Sequence, residues 1–517
     1  MGVISLFDYG AARHADRPCL EDDLEVRTYE EVRDASHRIA LALGARGVVP
    51  GDKISTLSPN AVTMVEAMLG IYRAGCVFVP LNVLNSEEEN STIIQNNDVS
   101  VLFYHSKFSG VVERLLKVCP RIRLSIRLDA GERSDQRLRE IAAAYTGEAP
   151  DPGASFHDLA SIYSTGGTTG APKGAMISGL AWDVQAASFF AAMPVRAQPV
   201  YLAATPMTHA AGCLAIYLFA AGGHVIMHDR FEAGRFLATI DERRATHVHL
   251  PPTAIYMLLS HPDAAKHDYS SLECFHYASA PMSVEKLKQC MEIFGPVMAQ
   301  TWGQSEAPLI CTLLTPDDHR LAVESPDHVS LLASCGRPTL MTRVEVIDDS
   351  GRFLSVGEMG ELVMNGPLVG LGYYRKPDAT ASTFVNGWLR SGDIGYKDAR
   401  GYVFICDRKK EMIISGGLNI YPAEVEQVVW SHPAVQECAV IGVPDEKWGE
   451  AVKAVIELKP GMSASQEDLL ALCKSRLGSA KAPKSIEIWP SLPRSAVGKV
   501  SKKEIRARFW DGTGRSI

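Results

Sequence analysis

The chain has 517 residues, 46% of them hydrophobic and 22% charged, and a formal net charge of -8. That length exceeds one ordinary hydrophobic core and suggests a globular protein of roughly two to four domains. The charge balance lacks the basic stripe of a nucleic-acid binder, so no nucleic-acid partner is expected and an anionic substrate needs local positive charge. Thr28-Tyr29-Glu30-Glu31 reads as a capping box opening a helix through Val32, Ile39 and Leu41. Residues 53–57 then read as a short strand, 61–74 as a helix and 77–80 as a buried strand. This alternation argues an α/β fold with parallel strands. Between Ala210 and Met227 there is no formal charge, over a length near that of a membrane span. Gly212, Gly222, Gly223 and His224 interrupt it, and Asp229 and Arg230 follow closely. A buried helix, turn and strand is expected there, and no transmembrane segment.

Further along, Ser283 is placed to cap a helix through Leu287 to Phe294. Residues 297–300 read as a strand leading into Trp302-Gly303-Gln304. Over 342–405 the character changes to short β-like runs, 343–347 and 360–364 among them, separated by Gly, Asp-Asp and Asn turns. A small antiparallel sheet or barrel is expected. Beyond Lys410 comes a compact α+β pattern, with helices over 422–430 and 467–477 and strands over 437–443 and 451–458. The charged string Asp407-Arg408-Lys409-Lys410-Glu411 has the look of a linker, so domains 1–409 and 410–517 are expected. The eleven cysteines are scattered without a CxxC pair, which speaks against zinc and redox motifs and for the reduced thiols of a cytoplasmic protein. The N-terminus has no signal-peptide pattern.

The densest chemical signal is Tyr163-Ser164-Thr165-Gly166-Gly167-Thr168-Thr169-Gly170-Ala171-Pro172-Lys173-Gly174, with four glycines, three threonines and a lysine. Glycines let backbone N–H groups approach a phosphate, hydroxyls add donors, and lysine adds positive charge. The spacing does not fit G-x-x-x-x-G-K-[ST], because Lys173 is followed by Gly174. The segment resembles instead the phosphate-binding signature of the adenylate-forming superfamily, which includes acyl-CoA synthetases, luciferases and peptide-synthetase adenylation domains. Gly166-Gly167 stands where Ser-Gly is common, which keeps the backbone donors and removes one hydroxyl.

Other strings match the family in the same order. Ala204-Thr205-Pro206-Met207-Thr208-His209 resembles the segment that ends beside the acyl site. Ala278-Ser279-Ala280-Pro281 resembles the adenine-binding turn. Thr301-Trp302-Gly303-Gln304-Ser305-Glu306 resembles the aromatic-Gly-x-Thr-Glu pattern, with Ser305 replacing Thr. The resemblance implies that Trp302 stacks on adenine, that Gln300, Thr301 and Gly303 line the nucleotide, and that Ser305 contacts the α-phosphate. It implies Mg²⁺ on Glu306 with Thr165. Gly387-Trp388-Leu389-Arg390-Ser391-Gly392-Asp393 supplies the ribose carboxylate Asp393, Arg408 reaches ribose or phosphate, and Lys410 falls at the hinge position. Pro493-Arg494-Ser495-Ala496-Val497-Gly498-Lys499 resembles the C-terminal signature that carries the adenylation lysine, here Lys499.

The family's implied reaction joins a carboxylic acid to ATP and passes the acyl group to coenzyme A, with ATP, Mg²⁺ and coenzyme A as cofactors or co-substrates. The implied fold is α/β: a large N-terminal domain of two parallel-rich sheets and a small β-barrel, then a small mobile α+β domain. After the hinge, Ser415, Gly416 and Gly417 are expected to pass the pantetheine arm, and Trp448, Lys481 and Lys484 to contact the coenzyme A nucleotide. The acyl pocket is expected near His209, Ala210, Cys213, Tyr277, Ala299, Gln300 and Ala307. These are mostly small or apolar with no lysine or arginine, which points to a fatty or aryl acid. No serine-bearing carrier segment is seen, so a stand-alone ligase is expected. Rival readings are a loader of a separate carrier protein, a luciferase-like oxygenase and an ATP-binding module without turnover. A homodimer is left open.

Overall fold

The computed structural model describes residues 2–129, 137–165, 172–193, 195, 198–280, 282–445, 447–494 and 500–510. The capping box at Thr28 is formed as expected: its side chain accepts from Glu31 N–H, and the Glu31 carboxylate accepts from Thr28 N–H. A cap of this kind stabilises a helix by about 1 kcal/mol, and it starts Tyr29–Gly44. The next elements are the strand Lys53–Leu57, the helix Val62–Arg73 and the strand Val77–Pro80, all close to the expected bounds.

Two large sheets follow from this alternation. One has six strands in the order Leu124–Arg127, Val99–Tyr104, Lys53–Leu57, Val77–Pro80, Leu159–Ser164, Gly174–Ser178. All its pairings are parallel except the last, which is an antiparallel hairpin. The other has nine strands, with a parallel centre running Cys274–Tyr277, His247–Leu250, Val200–Ala203, His224–Met227. On one side it continues through Met298–Gln304, whose antiparallel partner is Ala307–Leu314. The uncharged stretch near residue 210 is the helix Ala210–Phe219, a turn and the strand His224–Met227, packed inside the protein. No helix among the described residues is long and apolar enough to cross a membrane.

The expected barrel is a five-stranded antiparallel sheet built on Arg343–Ile347, Gly360–Asn365 and Trp388–Lys397, with Val403–Arg408 paired to the last of these. No pairing among the described residues closes it. Beyond it, Gly449–Leu458 pairs antiparallel with Val435–Asp445 and parallel with Ser485–Trp489. The helices Pro422–Trp430 and Gln466–Lys481 contribute to its apolar cluster, which runs from Ile413 to Ile486 and contains no earlier residue. Ser283 sits at the helix start as expected, but its side chain makes no capping bond. All eleven cysteines are free thiols.

Candidate nucleotide and acyl site

In sequence the glycine-threonine segment joins the two strands of the hairpin Leu159–Ser164 / Gly174–Ser178. Residues 166–171 lie outside the described residues. The two ends are tied together: Thr165 N–H donates to the Lys173 carbonyl over 2.8 Å, and Lys173 N–H to Thr165 Oγ1 over 3.4 Å. Ser305 Oγ donates to the Ser164 carbonyl at 3.3 Å, so the second motif abuts the first. Glu306, 8% exposed, accepts a hydrogen bond on Oε1 from the Tyr373 hydroxyl. Lys173 Nζ stands 4.4 Å from the centre of the Tyr373 ring. Burial first, then the neighbouring Glu306 carboxylate, raises the Tyr373 pKa above its ordinary value, so it remains a hydrogen-bond donor at neutral pH.

Tyr373 is a residue the sequence motifs did not single out. It is brought here by the segment 370–374, which runs along the hairpin: Leu371 N–H donates to Met176 C=O, and Gly370 N–H to Glu306 C=O. A Cβ on Gly370 would lie 2.8 Å from the Met176 oxygen and 2.9 Å from the Glu306 oxygen. Only glycine permits that approach. The signal in the sequence was the Gly370-Leu371-Gly372 spacing just before the tyrosine.

The same strand end reaches the ribose motif. Trp302 Nε1–H donates to Asp393 Oδ2 at 3.0 Å, and Arg408 Nε lies 2.7 Å from Asp393 Oδ1. Asp393 is 3% exposed, and a carboxylate that deep is stabilised by such charge-assisted partners. Trp302 is itself 9% exposed, packed among Val184, Ala307 and Cys311. In the expected adenine turn Ala278 is buried and Ser279 is exposed with φ of +78°, a left-handed conformation that costs a non-glycine residue free energy. Ala280 is half-buried, and Pro281 lies outside the described residues.

On the acyl side, His209 precedes the helix Ala210–Phe219, and its Nδ1 lies 3.0 Å from Thr208 Oγ1. Burial lowers its pKa to about 4, so it is neutral at physiological pH. Cys213 and Ala299 belong to one apolar cluster. Tyr277 and Gln300 do not line the same space. Tyr277 is fully buried in the cluster on the opposite sheet face, and its hydroxyl donates to Gln300 Oε1 at 3.1 Å and lies 3.0 Å from His319 Nε2. Strand alternation is the reason: Tyr277 pairs with Gln300 and His276 with Ala299, so the two pairs point to opposite faces. A pocket over Ala299 therefore excludes Tyr277 and Gln300. Ala307 is fully buried beside Trp302.

Lys410 follows the strand Val403–Arg408, and Lys499 lies outside the described residues, flanked by an antiparallel bridge between Arg494 and Val500. Of the residues expected to meet coenzyme A, Ser415, Gly416, Trp448 and Lys484 come together. Ser415 pairs with Gly449, Gly416 N–H donates to the Trp448 carbonyl at 2.8 Å, and Lys484 Nζ lies 5.9 Å from the Trp448 ring centre. Gly416 and Gly417 both have positive φ, and a Cβ on Gly416 would lie 2.5 Å from the Trp448 ring. Lys447, not singled out in the sequence, also stands over that ring at 4.8 Å. Lys481 turns away to Glu424, 2.7 Å distant. Two surface hollows of about 360 and 320 Å³, lined by residues such as Glu21, Arg243, Glu25 and Arg139, contain none of the motif residues. Their walls carry the ion pairs Arg139–Glu25 and Arg243–Glu21.

Comparison with known proteins shows the family. Residues 7–374 match the AMP-binding enzyme family and 424–499 the AMP-binding enzyme C-terminal domain. The chain belongs to the AMP-binding enzymes, the adenylate-forming family its motifs resemble. It is 34% identical to a medium/long-chain-fatty-acid–CoA ligase, FadD8, of Mycobacterium tuberculosis (strain ATCC 25618 / H37Rv), covering 98% of this chain and 90% of that one. It is 35% identical to a feruloyl-CoA synthase of an Amycolatopsis species, over 93% and 94% of the two chains. The crystal structure of ATP-bound MatB from Rhodopseudomonas palustris superposes with a TM-score of 0.88 at 27% identity, over 99% of each chain.

Proposed function

We propose that this chain is an ATP-dependent acid–CoA ligase acting on a fatty or aryl acid. The observation that carries the reading is the convergence on residues 302–306 of two partners, the Thr165/Lys173 hairpin through Ser305 and the Asp393–Arg408 pair through Trp302. In the first step a carboxylate oxygen attacks the α-phosphorus of ATP, the bond to the β-phosphate oxygen breaks, and pyrophosphate leaves. In the second, the coenzyme A thiol attacks the acyl carbon, AMP leaves and a proton is released. Neither attack on phosphorus nor departure of pyrophosphate needs a general base, because the carboxylate is already ionised at neutral pH. Catalysis rests on holding two anions together.

In this reading residues 166–170 with Thr165 and Lys173 hold the pyrophosphate end, and Ser305 meets the α-phosphate. The turn 278–281 and the strand residues Thr301 to Gly303 hold the base, and Asp393 takes the ribose hydroxyls. Lys499 bridges carboxylate and α-phosphate. The domain boundary is placed at Lys410, which serves as the hinge; the separate apolar cluster from Ile413 onward supports this. Ser415, Gly416, Gly417, Trp448 and Lys484 then guide coenzyme A. Among the described residues no group of three or more metal-ligating side chains occurs. Magnesium needs only one or two carboxylates plus phosphate oxygens. Glu306 fits that demand, since among the described residues its side chain accepts one hydrogen bond, from Tyr373 to Oε1. Bound there, the ion neutralises phosphate charge.

The reading is tested by pyrophosphate release over a panel of acids, followed by coenzyme A consumption. Acid-dependent release with thiol consumption is expected. No release with any acid overturns the enzyme reading, and release without thiol consumption moves the acyl group to a different acceptor. The Tyr373–Glu306 bond gives a sharper expectation. Tyr373→Phe removes the donor that orients the carboxylate, and the Mg²⁺ concentration for half-maximal rate is expected to rise about tenfold. A magnesium titration at saturating ATP measures it, and an unchanged midpoint removes Tyr373 from the site.

A further inference from the structure

The sheet face under the helix Ala210–Phe219 carries a polar chain whose two histidines the roles above leave unused. His249 Nδ1 and His276 Nδ1 are 2.9 Å apart, and His276 Nε2 lies 2.8 Å from Thr301 Oγ1. His249 and His276 are 3% exposed and Thr301 is 4% exposed. The register pairs His249 with His276 and His276 with Ala299, and Thr301 follows two residues on, so all share Ala299's face. The helix that carries Ala210 and Cys213 packs on the strand His247–Leu250. These groups are thus at the carboxyl ends of adjoining parallel strands, where open α/β sheets bind ligands.

Imidazoles in an apolar cluster cost free energy that leucine or phenylalanine would not. Burial holds His249 and His276 neutral, so one Nδ1 must donate and the other accept. If His276 donates, His249 carries its proton on Nε2 and presents a donor. If His249 donates, its Nε2 presents an acceptor, and the Thr301 hydroxyl rotates to suit either state. Beyond the contact with His276, through its ring and its backbone, no hydrogen bond of the His249 ring occurs among the described residues. One strand, Cys274–Tyr277, separates His249 from Ala299, which is two strand spacings or roughly 10 Å, and Ser305 lies further off, past the end of Ala299's strand at Gln304.

We propose that His249 is a specificity residue of the acyl site, reading a hydroxyl or carbonyl that the acid carries roughly 10 Å or more from its carboxylate. The proposal rests on the acid-ligase reading and narrows its substrate class from plain fatty or aryl acids to oxygenated ones. The His276–Thr301 pair positions the imidazole and lets it serve as donor or acceptor.

The test uses the full chain and two matched pairs of acids, 4-hydroxycinnamate with cinnamate and 8-hydroxyoctanoate with octanoate. The native enzyme is expected to favour the hydroxylated member of at least one pair by about tenfold or more in kcat/KM, because the shorter acid leaves a buried polar group unpaired. His249→Leu is expected to bring that ratio close to one while the unsubstituted acid reacts as well or better. His249→Gln, which keeps a donor and an acceptor, is expected to retain part of the preference and guards against a leucine variant that fails to fold. Native turnover without preference in either pair overturns the proposal, as does turnover confined to acids outside both pairs. So does a leucine variant that loses thermal stability, slows both members equally and keeps the ratio, which marks a purely structural pair. Failure of the ligase reading looks different: no acid of the wider panel releases pyrophosphate.

Discussion

Lys499→Ala is expected to slow adenylate formation by about 10²–10³-fold or more, while thioester formation from a presupplied acyl-adenylate proceeds at close to the native rate. The asymmetry follows from charge. Before the first step a carboxylate and a triphosphate must approach within bonding distance, and every negative charge that is not neutralised there adds to the barrier. A single cation bridging the two is stronger in the transition state than in either reactant, which is the condition for lowering the barrier. In the second step the electrophile is an uncharged acyl carbon and the nucleophile a thiol, so that cation has no comparable task. A lysine in the same place also obstructs the thiol. In the proposed reading the C-terminal domain rotates between the two steps and brings in Gly416 and Gly417, which follow Lys410 and both have positive φ. Rapid-quench measurement of each half-reaction, with acid plus ATP and with chemically prepared adenylate plus coenzyme A, separates them. Equal loss in both steps removes the division of labour between Lys499 and the glycine segment.

Much of this architecture was legible because local rules and long-range packing agree. The capping box at Thr28, the helix-strand alternation through Pro80 and the turn-rich 342–405 stretch all took the form their sequence patterns imply. The motif strings lie beside one another in space: Ser305 meets Ser164, and Trp302 meets Asp393 over 91 residues of chain. What the sequence hides is which face a residue takes when two strands must be in register. Tyr277 and Ala299 are both strand residues next to motifs, and nothing local says that they point apart. The His249–His276 pair was invisible for the same reason, since 27 residues separate its members and only strand register joins them. Tyr373 was missed because its partner is set by backbone bonds between loop and hairpin, a contact with no periodic pattern. Lys481 pairs with Glu424, 57 residues away in sequence, a partner that no local pattern announces.

The N-terminal part is expected to lose stability steeply between pH 6.5 and 5, and the C-terminal part to move the opposite way. Burial lowers His209, His247, His249 and His319 to about 4, and holds His276 well below its ordinary value. All five precede Lys410. An unfolded chain takes up their protons near pH 6.5, whereas the folded chain does not until near pH 4. In that window the unfolded state binds more protons, so stability falls as pH falls, by about 1.4 kcal/mol per pH unit for each histidine. Five such groups remove on the order of 10 kcal/mol by pH 5, comparable with the whole stability of a domain. The buried carboxyl of Glu66, whose pKa burial raises, opposes part of this. In the C-terminal cluster the sign reverses. Burial raises Glu437 to about 7, against the pull of its bond from Cys438 N–H and of Arg494 at 3.9 Å. There the folded state holds the extra proton, and its contribution is fully present below pH 4.5 and fades as pH rises through 7. Hydrogen exchange read by segment from pH 7.5 to 4.5 reports both trends in one experiment. The strands Val200–Ala203, His247–Leu250 and Cys274–Tyr277 are expected to lose protection first, with Val435–Asp445 protected longer. Protection that is flat in the first group down to pH 5 would mean that the histidines are charged or solvated in the folded protein, and the neutral donor–acceptor chain from Thr301 to His249 would fall with it.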